Sequence, residues 1–131
     1  MTPETKNYLD KARSDLIEAG KIAAIGLATV AARSAYYAAF HTAEAFISEQ
    51  TSKSVKTHSD VRAEFSRLAN ATSTIDRKFT TFLAQAYMYK EIADYSVEPG
   101  SAVTMAEAED AIAMATQFLN RVTDFLTGST P

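Results

Sequence analysis

The sequence predicts an all-α fold, an antiparallel up-and-down bundle of four long helices and one short one. Three observations carry this. Of 131 residues, 24 are alanine, the strongest helix former. Apolar residues recur at three- and four-residue spacing, and no segment alternates with period two as a half-buried strand does. Four Gly and three Pro leave few places to turn, and most of them fall at segment ends. The chain reads as one domain, 1–131, long enough to bury roughly two-thirds of its unfolded surface.

Each element has its own signal. Thr2 and Pro3 open the first helix, a capping side chain followed by a residue whose missing N–H costs nothing there. Its stripe is Leu9, Ala12, Leu16 and Ala19, and its end falls near Ile25 to Thr29. The second helix runs from about Thr29 to Gln50 and is apolar almost all round, which places it in the middle of the bundle. Its alanines admit close neighbours, while Tyr36, Tyr37, Phe40 and Phe46 fill the gaps. A polar loop from Glu49 to Lys56 precedes Thr57-His-Ser-Asp60, a capping-box start with Asp in the Glu position. The short third helix carries Val61, Phe65 and Leu68. The fourth spans about Asp76 to Ser96, with Phe79, Phe82, Leu83, Ala86, Tyr89 and Ala93 inward, and Pro99-Gly100 turns the chain. Thr104 with Glu107 opens the fifth, whose stripe is Ala108, Ala111, Ile112, Ala115, Leu119, Val122 and Leu126, and Gly128 closes it.

Composition narrows the function. With no Cys, disulfides, iron–sulfur clusters, thiolate zinc sites and a cysteine nucleophile are excluded. His41 and His58 are far apart in sequence, and neither follows a Glu by three residues as in di-iron bundles. Asp94, Glu98, Glu107 and Glu109 therefore read as a solvated acidic face, and neither metal nor cofactor is expected. The net charge of −3 is uneven: residues 1–52 carry −1, residues 53–90 carry +4 and residues 91–131 carry −6. The basic middle third offers a phosphate-binding face, or it simply complements acidic neighbours. The N-terminus lacks the basic-then-apolar order of a signal peptide, and the most apolar run, Ile22 to Ala32, falls short of the ~20 residues that span a bilayer. No membrane association and a cytoplasmic location are the expectations.

Three segments in register resemble one family. Ala35-Tyr-Tyr-Ala-Ala-Phe-His41 is similar to the AYYAxFH signature of prokaryotic HEPN domains (higher eukaryote and prokaryote nucleotide-binding). Lys56-Thr-His-Ser-Asp-Val61, followed by Phe65, resembles the KTHxxV…F segment of that family. Ala86 to Tyr95, ending Lys-Glu-Ile-Ala-Asp-Tyr, resembles its A-x3-R-x2-ADY segment. The resemblance covers about residues 5 to 126. It implies a helical bundle, often a homodimer, in many cases paired with a small nucleotidyltransferase as a toxin–antitoxin system. Some branches are metal-independent endoribonucleases with an R-x4–6-H motif; others bind or scaffold without catalysis.

This chain departs from the ribonuclease pattern, because Arg33 and His41 have seven residues between them. A gap of six leaves such a pair about 20° from superimposed on the helix, whereas a gap of seven turns it roughly 80° and moves it ~12 Å along. Ser34 also stands where the family usually has Arg, and Lys90 replaces the Arg of the third segment, keeping charge without the two-pronged phosphate geometry.

Three groups of site residues follow. Arg33, Tyr37 and His41 share one face of the second helix. In the catalytic reading His41 moves a proton from a ribose 2′-hydroxyl, Arg33 stabilises phosphorane charge and Tyr37 orients His41. In the structural reading His41 is a hydrogen-bonded interior residue and Arg33 snorkels. Lys56, His58 and Arg62, with Lys53 and Arg67 nearby, sit where the start of the third helix favours an anion. Lys90, Asp94 and Tyr95 close the fourth helix; Lys90 either faces His41 across the bundle as a phosphate site or locks two helices together. By the resemblance, Tyr95 is also a candidate target of a partner nucleotidyltransferase. The resulting expectation is an RNA- or nucleotide-binding component of a toxin–antitoxin-type pair, with ribonuclease activity open. The alternative is a non-catalytic protein–protein interaction module.

Overall fold

The computed structural model describes residues 1–128, so the expected extent of 1–131 ends three residues beyond them. The elements are α1 (Pro3–Ala24), α2 (Ala28–Thr51), α3 (His58–Asn70), α4 (Arg77–Tyr95) and α5 (Met105–Thr127), with one 3₁₀ turn at Pro99–Ser101. Among the described residues there is no strand. The architecture is the expected helical bundle.

Local chemistry sets the boundaries. Thr2, Thr57 and Asp76 cap α1, α3 and α4 by accepting hydrogen bonds from the amides of Thr5, Asp60 and Lys78. Thr104 and Glu107 form the full reciprocal box at α5. The corner between α1 and α2 turns at Gly26, whose φ of +86° is strained for any side chain with a Cβ. Gly20 instead lies inside α1, where it costs helix propensity without ending the helix.

Every other helix packs against α2. Ala31, Ala32, Ala35, Ala38, Ala39, Ala43 and Ala45 are all fully buried, and they occupy several sides of the helix. Where both partners present large side chains, helix axes stay about 8–10 Å apart; alanine lets them approach at the short end of that range. The aromatic residues then fill the spaces at one end of the bundle. Phe65 lies 5.4 Å from Phe46 and 5.1 Å from Phe118, and Phe118 stacks on Phe79 at 5.0 Å. Phe118 was absent from the stripe expected for α5, yet it is fully buried. Two polar ties fix α1 on α2: Thr5 Oγ1 donates to Ser48 Oγ at 3.2 Å, and Ser34 Oγ donates to the Asp15 carbonyl at 2.9 Å.

Two inward faces differ from expectation. On α4, Tyr89 and Ala93 are only half-buried, and Lys90 is buried in their place. On α1, Asp15 is buried while Leu16 is half-buried. Both exceptions are charged side chains held by ion pairs, which apolar periodicity does not register.

Enlarging the α2 contact should be costly. Ala39→Leu is expected to destabilise the fold by about 1–3 kcal/mol through overpacking, measured as a lowered urea midpoint. Ala63→Leu, on the exposed side of α3, should leave the midpoint nearly unchanged.

Candidate functional site

The turn after α1 sends α2 back beside it, and the outer groove between the two helices forms a cleft of about 460 Å³. Arg33, Tyr37 and His41 all line it, together with Lys11, Asp15 and Ser34. The expectation that these three share a face therefore has a concrete geometry. The His41 side chain retains 19% of its exposure, so it is neither a sealed core histidine nor a free surface one.

Each ring nitrogen of His41 faces a carboxylate, and one of them is hydrogen-bonded. Nδ1 lies 2.8 Å from Glu44 Oε1, one helical turn on, and because a carboxylate can only accept, Nδ1 carries the proton. Nε2 lies 3.6 Å from Asp15 Oδ2 on α1, beyond hydrogen-bond length. Asp15 is almost completely buried; its Oδ1 accepts from Lys11 Nζ at 3.0 Å, while Oδ2 is buried with no hydrogen-bond partner. A buried unpaired oxygen is destabilising and calls for an explanation. Lys11, Asp15 and Glu44 were not singled out from the sequence; the i, i+3 spacing of His41 and Glu44 was the signal available.

Arg33 leaves the cleft at its tip. Its Nη1 donates to Asp94 Oδ1 on α4 at 2.8 Å, and Lys90 Nζ lies 3.3 Å from Asp94 Oδ2. One carboxylate thus sits between two cations from two helices. The hydrogen bond from Arg33, opposed by partial burial and assisted by Lys90, holds the Asp94 carboxyl below its ordinary range. Burial pushes the Lys90 ammonium down, but the bond to Asp94 and the neighbouring Tyr95, Tyr37 and Asp94 outweigh it, leaving its pKa raised. This carboxylate, shared by the two cations, ties α4 to α2. Tyr95 is exposed, with Lys90 Nζ 5.0 Å from its ring centre.

The group at the start of α3 divides. Lys56 is exposed, whereas the His58 ring turns inward, so the start of α3 does not assemble them into one site. His58 Nδ1 lies 2.7 Å from the hydroxyl of fully buried Tyr36. Burial pushes the Tyr36 hydroxyl well above its ordinary range, so it stays protonated and donates to Nδ1. The rings of Tyr36, Tyr37, Phe40 and Tyr87 surround His58 at 4.5–5.9 Å. Burial first, then the positive charges of Lys90 and Arg62, depress the His58 pKa below 6.5. Lys90 thus acts electrostatically on His58, and the Tyr87 ring lies near both. Arg62 lies 4.3 Å over the Tyr87 ring, and its buried Nη1 has no hydrogen-bond partner. Arg67, by contrast, is paired with Glu64.

The Tyr37 ring stands between the two histidines, 6.3 Å from His41 and 5.9 Å from His58. Cleft and cationic-aromatic cluster are therefore two ends of one polar face along α2. Among the described residues no group of three or more His, Cys, Asp or Glu is arranged to hold a metal ion. No helix among them is long and apolar enough to cross a membrane.

Fold and site together define an all-α bundle that displays imidazole, guanidinium and tyrosine groups along its central helix. The chain belongs to the HEPN family: the HEPN domain model matches residues 5–125. That membership connects the protein with nucleotide- or RNA-related function. No curated protein matches the chain.

The His58 environment fixes a pH dependence. As pH falls below 6.5 the unfolded chain binds the proton first, because the folded state prefers neutral His58. Stability should be fully present above 6.5 and decline as pH is lowered through the depressed folded pKa. His58→Gln should flatten this part of the curve, read as urea midpoint against pH.

Proposed function

We propose that this HEPN protein is the RNA- or nucleotide-binding component of a toxin–antitoxin-type pair with a nucleotidyltransferase partner, working as a homodimer. Its ligand lies along the α2 face. The supporting observation is the convergence of Arg33, Tyr37 and His41 on one cleft, with Nδ1 of His41 tied to Glu44. Fixing Nδ1 leaves Nε2 as the nitrogen able to take a proton from a ribose 2′-hydroxyl. Arg33 and Lys11 supply positive charge at the same cleft, and Tyr37 supplies a ring against which His41 stacks. In such a transesterification the 2′-oxygen attacks phosphorus as the bond to the 5′-oxygen breaks, His41 takes the 2′-proton and returns it to the departing 5′-oxygen, and Arg33, once released from Asp94, would meet the phosphorane charge.

Pairing of two copies has surface to bury. Ile25, Leu27, Val30 and Val97 are exposed around the α1–α2 corner and the segment after α4. Sedimentation should give twice the 14.2 kDa chain mass.

One observation favours the second reading, a non-catalytic interaction module: Arg33 is committed to Asp94 rather than to the cleft. An RNA assay in EDTA separates the two. Binding that weakens with rising salt is expected, and in the catalytic case cleavage disappears in His41→Ala. Cleavage that needs a divalent ion, or survives His41→Ala, overturns the mechanism. Absence of RNA and nucleotide binding at low salt leaves the interaction module.

A further inference from the structure

We infer that Arg33 and Lys90 form a phosphate-binding site whose present occupant is the Asp94 carboxylate, so that a polynucleotide phosphate binds by displacing Asp94. This rests on the reading of the α2 face as a nucleic-acid surface and specifies where on it a phosphate sits. The two cations come from different helices and converge on the two oxygens of a single carboxylate, at 2.8 and 3.3 Å. A guanidinium and an ammonium donate to carboxylate and phosphate oxygens alike, so Asp94, held by Arg33 Nη1 and Lys90 Nζ, stands where a phosphate would. A phosphate carries more charge than a carboxylate and so competes for the same two cations.

The surroundings fit a nucleotide. Lys90 lies against the rings of both Tyr87 and Tyr95, at 5.8 and 5.0 Å, and Tyr95 is exposed. A base next to a bound phosphate can stack on such a ring without regard to sequence. Arg33 also lines the His41 cleft, so the proposed phosphate position adjoins that cleft. Displacement also answers the spacing problem: Arg33 sits two helical turns from His41 and meets the backbone from the α4 side.

The test uses the full chain and a fluorescent single-stranded RNA oligonucleotide in EDTA, titrated at several salt concentrations. Asp94→Asn removes the competing charge and keeps the shape. It is expected to bind about tenfold more tightly at low salt, the sum of two modest ion pairs released. The slope of log affinity against log salt should steepen by about 0.7 for each cation freed. Adding Arg33→Gln to Asp94→Asn should abolish the gain. Unchanged or weaker binding by folded Asp94→Asn, or a gain that survives Arg33→Gln, overturns the site.

A measurement on the unmodified protein covers the case in which Asp94→Asn fails to fold. Inorganic phosphate should shift the NMR signals of the Arg33 guanidinium and the Asp94 carboxyl carbon together, and phosphate that leaves both unmoved overturns the site. If phosphate shifts them but no RNA binds, the site stands and the nucleic-acid reading falls.

Discussion

A helix buried on every side can have no dedicated solvent face, and that constraint on α2 governs the rest of the molecule. Four neighbours reach it, so its side chains must be small wherever an axis passes close. Alanine meets the requirement at little entropic cost, since it loses no rotamer freedom in a helix. The larger residues are confined to gaps between neighbours. Tyr36 and Phe46 fill two of them completely, and each brings a second element into register. Phe46 meets Phe65 of α3, and Tyr36 meets both His58 of α3 and Tyr87 of α4.

Polar atoms on such a helix have few permitted places. Thr42 turns its hydroxyl back to the Ala38 carbonyl, which satisfies it without a partner from outside. Ser34 and Ser48 reach α1. Arg33, Tyr37 and His41 line the groove where α2 meets solvent beside α1. The candidate site thus lies where packing leaves an opening, and its residue types decide what the opening can do. The two histidines illustrate the difference. His58 is enclosed by rings and accepts from a buried phenol, so its work is to hold α3 to α2. His41 keeps Nδ1 on Glu44, while its Nε2, 3.6 Å from Asp15, makes no hydrogen bond within the fold.

Much of this was legible in the sequence. Caps at Thr2, Thr57 and Thr104 and the nearly all-round apolar character of α2 follow from local chemistry and periodicity, and the structure has them. The face shared by Arg33, Tyr37 and His41 followed from helical geometry alone. Asp15 and Lys90 were not legible as inward residues, because a charge becomes burial-tolerant only when its partner arrives from elsewhere. For Lys90 the partner is one turn away, yet the reason it is buried is the Tyr87 ring and the Arg33 pair on Asp94. The direction of His58 was likewise hidden: a histidine at a helix start reads as exposed, and only the position of Tyr36, 22 residues earlier, turns it inward.

The uneven charge along the chain acquires a physical meaning at Asp94. It belongs to the acidic last third, Lys90 to the basic middle and Arg33 to the near-neutral first, and the fold brings one charge from each together. Paired this way, the three groups tie α2 to α4 at the edge of the cleft, where an exposed pair contributes at most about 1 kcal/mol. A tie that weak cannot be a main source of stability for a bundle held by buried alanine and phenylalanine. On the proposed reading its larger effect is on availability, because Asp94 holds the guanidinium that the α2 face would otherwise present to a phosphate beside the cleft.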